Sequence, residues 1–213
     1  FKNFVLALGY KKKFIIDYFI KKKFTQKWNV ELVNTGKNTL TAKRLLMLKN
    51  KLDHNQFFLL NYGDGLTNLN INKLVNFHKK HKKIATVTAV RPPARFGQLK
   101  IVKDNVLKFD EKNQINVGWI NGGFFVFNKE IFNFLPKKNT MLERDTMQIL
   151  TLKNQLKAFK HKGFWQCMDT LRDKELLKKI WKKNKKLCST RYVSNKSELL
   201  IFVTPKVLRE GSN

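Results

Sequence analysis

One carboxylate follows an apolar run and stands between two glycines. The stretch "FFLLNYGDG" runs from Phe57 to Gly65, and its Asp64 lies between Gly63 and Gly65. If the apolar run is a buried strand, Asp64 projects beyond the carboxyl end of that strand, where open α/β sheets bind their ligands. Glycines let a ligand approach the backbone closely, and Mg²⁺ prefers carboxylate and phosphate oxygens. Asp64 is therefore a candidate metal ligand, although Gly-Asp-Gly also favours an ordinary turn.

A second carboxylate has a similar setting. In "GFWQCMDTLRDK", residues 163–174, Asp169 follows an aromatic-rich segment and precedes a predicted helix that begins near Thr170. Two carboxylates this far apart in the sequence could bind one metal ion if the fold brings them together. The alternative interpretation is that Asp169 only caps the helix.

The stretch "TGKNTLTAKR", residues 35–44, could bind an anion. It reads as a loop that leads into a helix, and the amide groups at a helix N-terminus attract negative charge. Thr35, Gly36, Thr41 and Arg44 could take part in such a site. An ordinary capped loop would explain the same residues.

Other polar residues give weaker signals. Glu111 and Lys112 lie in a predicted hairpin end, which needs no function by itself. The four histidines show no metal-binding spacing, and His78 is expected to pack on its helix. Cys167 and Cys188 form neither a Cys-x-x-Cys pair nor a disulfide framework.

The hydrophobic pattern predicts the elements that must position these side chains. Over the first 90 residues, segments with the pattern of a strand, either short and apolar or with apolar and polar residues in alternation, alternate with segments whose apolar residues have helical spacing. Asn70 is the predicted cap of one of these helices. The pattern predicts a mostly parallel sheet with helices on both faces. The predicted strands are 4–8, 28–32, 57–61 and 84–90, and the predicted helices are 11–24, 40–52 and the helix after Asn70.

The rest of the chain follows a different pattern. Residues 97–102 and 106–109 flank a turn and predict a hairpin, and Ile120–Phe127 predicts a strand interrupted by Gly122 and Gly123. Without a linker or an internal repeat, the sequence indicates one domain, residues 1–186, followed by a basic tail, residues 187–213. Further predicted elements are helices at 129–135, 142–152 and 171–183 and a strand near 156–160.

The chain is strongly basic. Its 213 residues include 44 Lys and Arg against 15 Asp and Glu, a formal net charge of +29. The positive charges are spread along the sequence, so three interpretations stay open: compositional drift on solvated faces, polyanion binding, and binding of an anionic small substrate. No apolar run is long enough to cross a bilayer, and no signal-peptide pattern is visible. We therefore expect a soluble, cytoplasmic protein that binds no membrane and no specific nucleic acid.

Six segments of the chain form a joint pattern; in chain order they are "GYKKKFIIDYF", "WNVELVNTG", "NYGDG", "RPPARFGQL", "INGGFFVFN" and "GFWQCMDTLRDK". Taken together, they resemble the bacterial glucose-1-phosphate cytidylyltransferases, members of the nucleotide-diphospho-sugar transferases. The resemblance covers about residues 4–183 and is most specific in the fourth and sixth segments. It implies a Rossmann-like α/β fold, synthesis of CDP-glucose and pyrophosphate from CTP and glucose 1-phosphate, a requirement for Mg²⁺, and a homo-oligomer.

The resemblance also implies roles for individual residues. Asp64 and Asp169 match the metal ligands of the family, and Lys112 matches the residue that holds the phosphate of glucose 1-phosphate. Asp64 and Lys112 would then be the catalytic residues. The other implied positions surround the sugar (Glu111, Asn121 and Gly122) or lie along the nucleotide (Thr35, Thr41, Arg44 and Gly63).

The chain also departs from the family pattern. The family begins with a strand and a Gly-rich loop that binds the triphosphate, and the resemblance starts downstream of both. A Thr-Gly-Gly-Arg element is replaced by Thr41-Ala42-Lys43-Arg44, and a proline by Asn113. We therefore expect a sheet without its first strand and an incomplete or impaired cytidylyltransferase. The alternatives are a degenerate paralogue without catalysis and, from a different class, a basic nucleic-acid-binding protein, which would lack the usual recognition motifs.

Overall fold

The computed structural model describes residues 2–21, 28–92, 98–110, 118–183 and 199–202. The strands within these ranges are β1 (Asn3–Leu8), β2 (Asn29–Asn34), β3 (Phe57–Tyr62), β4 (Gly65–Thr67), β5 (Ala85–Val90), β6 (Gln98–Val102), β7 (Asn105–Asp110), β8 (Ile120–Asn128), β9 (Leu156–Lys160), β10 (Trp165–Cys167) and β11 (Leu199–Phe202). The helices are α1 (Lys12–Lys21), α2 (Thr41–Met47), α3 (Lys49–Leu52), α4 (Ile71–His81), α5 (Thr146–Leu152) and α6 (Leu171–Lys183), with a 3-10 helix at Lys129–Phe134.

Seven strands form one mixed sheet in the order β2-β1-β11-β3-β8-β5-β9. Neighbouring strands run parallel except at β8, which is antiparallel to both β3 and β5. Two small ribbons, β4-β10 and β6-β7, stand beside the sheet. The predicted mostly parallel α/β sheet is confirmed.

Two apolar cores cover the two faces of the sheet. The larger core joins Phe58 and Phe125 of the sheet to α2, α3, the 3-10 helix and α5. The smaller core joins Leu59 and Val126, which point to the opposite face, to Leu74 of α4. The alternation along β3, where Phe58 and Leu59 enter different cores, is the period-two pattern of a strand buried on both faces. Helices therefore lie on both faces, as the sequence pattern predicts.

Most predicted elements lie close to their predicted places. Helix α6 has the predicted bounds, and Asn70 caps α4 by accepting a hydrogen bond from the amide of Lys73 at 2.9 Å. The helix predicted over 40–52 is divided at Leu48 into α2 and α3. Gly122 and Gly123 do not interrupt β8, which continues through a shift in register opposite β5. The β4-β10 ribbon was not predicted, because each strand has only three residues.

Strand β11 lies inside the sheet, whereas the sequence pattern predicts a basic tail for residues 187–213. It runs parallel to β1 and β3 and pairs with both, with Leu199 opposite Phe4 on one side and Leu59 on the other. The backbone of this segment therefore fills a central position in the sheet. Within the described ranges, no helix combines the length and the apolarity needed to cross a bilayer.

Two histidines of α4, the histidine pair His78 and His81, contact the same hydroxyl group of β5. His81 Nδ1 accepts the amide of Lys83 at 2.9 Å, so the neutral ring carries its proton on Nε2, which lies 2.7 Å from Thr86 Oγ1. His78 is buried, with Nδ1 2.8 Å from the same hydroxyl and Nε2 2.8 Å from Asn128 Oδ1. The expectation that His78 packs on its helix is confirmed.

The histidine pair should make the fold sensitive to acid. Burial is the main cause that lowers the pKa of both His78 and His81. An unfolded histidine has a pKa of about 6.5, so the unfolded chain takes up protons first as the pH falls. We expect the free energy of unfolding, measured with urea, to be lower at pH 5.5 than at pH 7.5. His78→Gln should reduce this pH dependence, and the exposed control His54→Gln should keep it; equal slopes in both variants would contradict the assignment.

Candidate active site

The strand ends bring the two predicted metal ligands to neighbouring segments. Asp64 lies in the turn that joins β3 to β4, so the turn interpretation and the strand-end position both hold. Strand β4 pairs with β10, with Gly65 opposite Cys167, and the carbonyl of Asp64 accepts the amide of Met168 at 2.9 Å. Asp169 follows directly. The antiparallel ribbon thus pairs the backbone of Asp64 with Met168, the residue before Asp169, although the two aspartates are far apart in the sequence.

The cap of α6 is Thr170. Its Oγ1 accepts the amide of Asp173 at 3.2 Å, and Asp173 Oδ2 accepts the amide of Thr170 at 3.0 Å, a reciprocal capping arrangement. The interpretation of Asp169 as the cap is therefore wrong. Asp173 is buried and also accepts hydrogen bonds from the amide of Asp169 and from Gln166 Nε2. Asp173 thus holds the Asp169 loop, and the Thr-x-x-Asp spacing was the sequence signal for it.

A glutamate that no sequence motif marks acts, like Asp64, on Tyr62. Glu143 accepts hydrogen bonds from the hydroxyl of Tyr62, the last residue of β3, and from Thr41 Oγ1. Burial raises the pKa of Tyr62 well above its ordinary value, and the negative charges of Glu143 and Asp64 add to this effect. Tyr62 therefore remains a hydrogen-bond donor at neutral pH. No local pattern marks Glu143, because its partners are 81 and 102 positions away.

Thr35 and Arg44 form a buried pair at the ends of β1 and β2. Arg44 is only 3% exposed, its Nη1 donates to the carbonyl of Leu8 at 3.2 Å and to Thr35 Oγ1, and burial lowers its pKa. Thr35 Oγ1 also donates to the carbonyl of Leu8 at 3.0 Å. A Cβ on Gly9 would stand 2.5 Å from Arg44 Nη2, so the backbone at the end of β1 touches the guanidinium. Arg44 therefore holds the two strand ends together.

Asn121 and Gly122 lie beside the β4-β10 ribbon. The indole Nε1 of Trp165 donates to the carbonyl of Gly122 at 2.8 Å. Asn121 Oδ1 accepts the amide of Gly123, whose φ of +76° is a conformation that favours glycine. A Cβ on Gly65 would stand 3.6 Å from the carbonyl of Gly122. These contacts bring the segment predicted to surround the sugar against the ribbon whose ends adjoin Asp64 and Asp169.

Gly122 has no room for a side chain. A Cβ there would stand 2.8 Å from Val90 Cγ1 and 3.0 Å from the carbonyl of Thr88. Because one of these neighbours is backbone, Gly122→Ala should lower the free energy of unfolding by about 1–3 kcal/mol. Gly118→Ala is the matched control, since no atom of the residues that the structure describes would lie within 4 Å of its Cβ. Equal urea midpoints for both variants would show that β8 tolerates a side chain at Gly122.

Two of the predicted residues, Glu111 and Lys112, lie outside the described residues. Within the described ranges, no group of three or more His, Cys, Asp or Glu side chains could hold a metal ion. The carboxylates of Asp64 and Asp169 are nevertheless hard oxygen donors of the kind Mg²⁺ prefers, and Mg²⁺ usually takes only one or two of them. The chemistry of this pair therefore fits Mg²⁺.

Comparisons with known proteins show the family to which this α/β architecture belongs. The profile of the nucleotidyl transferase family matches residues 1–179, and the chain belongs to this family. HddC from Yersinia pseudotuberculosis superimposes with a TM-score of 0.63 at 22% identity, over 84% of this chain and 79% of that one. A UDP-glucose pyrophosphorylase complexed with UDP-glucose gives a TM-score of 0.60 at 15% identity, over 85% of this chain and 81% of that one. At these identities the two structures support the fold alone.

Two relatives of higher sequence identity carry the name of one type of enzyme within this family. The glucose-1-phosphate cytidylyltransferase of Salmonella typhi is 38% identical over 204 residues, 86% of this chain and 79% of that protein. A probable glucose-1-phosphate cytidylyltransferase of Bacillus subtilis is 34% identical, over 84% of this chain and 78% of that protein. The resemblance inferred from the six sequence segments is thus confirmed.

Proposed function

We propose that this chain transfers a cytidylyl group from CTP to glucose 1-phosphate and forms CDP-glucose and pyrophosphate. The structural observation that carries the proposal is the pairing of β4 with β10, which brings Asp64 and Asp169 to neighbouring segments beyond the carboxyl end of β3. The names of the relatives from Salmonella typhi and Bacillus subtilis support the choice of cytidylyl group and sugar.

In the proposed reaction, a phosphate oxygen of glucose 1-phosphate attacks the α-phosphorus of CTP. The new bond joins that oxygen to the α-phosphorus, the bond from the α-phosphorus to the bridging oxygen breaks, and pyrophosphate leaves with the electron pair. Mg²⁺, bound by Asp64 and Asp169, would supply positive charge for the phosphate oxygens. Lys112 would hold the phosphate of the acceptor. Catalysis would come mainly from positioning and charge stabilisation, as in other phosphoryl-group transfers.

The remaining residues would bind and orient the substrates. Thr41 and Gly63 would lie along the nucleotide, and Glu111, Asn121 and Gly122 would lie around the sugar. Thr35 and Arg44 would act on the nucleotide side by holding the ends of β1 and β2, since Arg44 is buried against the carbonyl of Leu8. Tyr62 and Glu143 would support the turn that carries Asp64.

The test is an assay for pyrophosphate and CDP-glucose with CTP, glucose 1-phosphate and Mg²⁺. Radiolabelled CTP and long incubations would detect slow turnover. We expect product that depends on all three components, that is lost on chelation of the metal, and that falls when UTP, ATP or GTP replaces CTP. Absence of product, or product that forms without glucose 1-phosphate, would contradict the proposal.

A further inference from the structure

Tyr62 lies where three segments of the candidate active site meet. It is the last residue of β3, and Asp64 follows two positions later. Its hydroxyl group donates to Glu143, whereas its ring lies against Gly123 of β8. The two parts of one side chain therefore contact different segments, and their effects can be separated by substitution.

The hydroxyl group of Tyr62 is linked to the start of α2 through Glu143. Glu143 accepts hydrogen bonds from this hydroxyl and, at 3.4 Å, from Thr41 Oγ1. Thr41 Oγ1 in turn accepts the amide of Leu142 at 2.8 Å. An ionised carboxylate only accepts hydrogen bonds, so both hydroxyl groups must donate to it. Thr41, which is proposed to lie along the nucleotide, is thus held relative to the end of β3.

The segment that carries Glu143 is attached to α2 by backbone as well. The amide of Ala42 in α2 donates to the carbonyl of Thr140 at 3.1 Å. This bond does not involve β3, so it keeps Glu143 beside α2 whether or not Tyr62 is present. The hydrogen bond from Tyr62 therefore connects α2 and the Glu143 segment, as one unit, to the strand that leads to Asp64.

The ring of Tyr62 supports the segment proposed to surround the sugar. A Cβ on Gly123 would stand 3.3 Å from Tyr62 Cδ2 and 3.5 Å from Tyr62 Cβ, so the backbone of Gly123 lies directly on this side chain. The same ring contacts Phe125 edge to face, with 5.6 Å between the ring centres. Gly123 comes directly after Asn121 and Gly122 in β8, so the ring helps to fix their position.

We propose that Tyr62 is a positioning residue that sets the nucleotide and sugar segments relative to the turn that carries Asp64. Its hydroxyl group acts on the nucleotide side through Glu143 and Thr41, and its ring acts on the sugar side through Gly123. The role in catalysis rests on the proposed function, whereas the hydrogen-bonded link to Thr41 does not.

Two substitutions separate the hydroxyl group from the ring. Tyr62→Phe removes the hydroxyl group and keeps the ring. We expect it to raise the KM for CTP about tenfold, the cost of a lost hydrogen bond to a charged group, and to change the KM for glucose 1-phosphate by less than about twofold. Tyr62→Leu also removes the ring, and it should raise both KM values. The measurement is pyrophosphate release with one substrate varied and the other at saturation.

Glu143→Ala tests the link from its other end. It should reproduce the higher KM for CTP of Tyr62→Phe, and the double variant should lose little more, because the two changes break the same hydrogen bond. Tyr18→Phe is the matched control, since Tyr18 lies on α1 with 51% of its surface exposed. Additive losses in the double variant, or equal rises in both KM values for Tyr62→Phe, would overturn the proposal.

Hydrogen exchange in the free chain tests the link without catalysis. The amide of Leu142 reports on Thr41, because it donates to Thr41 Oγ1. Tyr62→Phe should speed the exchange of this amide about tenfold. The amide of Ala85, which donates to the carbonyl of Gln155 at 3.0 Å, should keep its rate. A variant that loses its fold would instead speed the exchange of both amides, and Glu143→Ala would then provide the measurement.

The two measurements distinguish failure of this inference from failure of the proposed function. If the chain forms no CDP-glucose but Tyr62→Phe speeds exchange at Leu142, the proposed function fails and the link to Thr41 stands. If CDP-glucose forms and exchange at Leu142 is faster while the KM for CTP is unchanged, the link is only structural and the positioning role is overturned. Unchanged exchange at Leu142 in both Tyr62→Phe and Glu143→Ala would overturn the link itself.

Discussion

Asp64→Asn should reduce the rate of pyrophosphate formation from CTP and glucose 1-phosphate by about 10²–10³-fold, the usual loss when a positioned electrostatic group is removed. Asparagine keeps the size of the side chain and suits the turn between β3 and β4, so the fold should survive. Asp169→Asn should have an effect of similar size, because both carboxylates are proposed to hold the same ion. The double variant should lose little beyond either single variant, since groups that act as a unit are not additive.

Metal binding gives a second measurement for the same prediction. Mn²⁺, followed by electron paramagnetic resonance in the presence of CTP, should bind the unmodified chain and should bind both Asn variants more weakly. Asp104→Asn is the control, since Asp104 is an exposed carboxylate in the turn of the β6-β7 hairpin. Normal Mn²⁺ binding and normal turnover in Asp64→Asn would show that the strand-end carboxylate serves only the turn.

Phe58→Ala should lower the free energy of unfolding by about 3–5 kcal/mol, the usual cost of deleting a buried aromatic side chain. Phe58 is fully buried in the larger core, where its ring lies 5.8 Å from that of Phe127 and 5.8 Å from that of Phe132. The loss is large because a domain of this kind is stable by only about 5–15 kcal/mol in total. Urea unfolding followed by circular dichroism measures it.

Phe14→Ala provides the matched comparison for Phe58→Ala. Phe14 on α1 is 73% exposed, so the same change of side chain should alter the free energy of unfolding by no more than about 0.5 kcal/mol. Similar losses in the two variants would mean that the larger core does not carry the stability of the sheet. A loss confined to Phe58→Ala would support the assignment of the core to this face.

Local patterns in the sequence determined most of the secondary structure. The apolar run at Phe57 predicted β3, the Asn70 cap predicted the start of α4, and helical spacing predicted α6 with its observed bounds. These signals are readable because a strand or a helix repeats its buried positions every few residues. The strand-end position of Asp64 follows from the same local reasoning.

The tertiary structure decided which of these residues meet. The nearness of Asp64 to Asp169 depends on the pairing of β4 with β10, and the position of Glu143 depends on hydrogen bonds to Tyr62 and Thr41. The entry of β11 into the sheet likewise joins segments that are distant in the chain. Such contacts produce no periodic pattern in a single sequence. The packing of the whole domain, rather than the neighbouring residues, decides which distant segments pair their backbones and bury their side chains together.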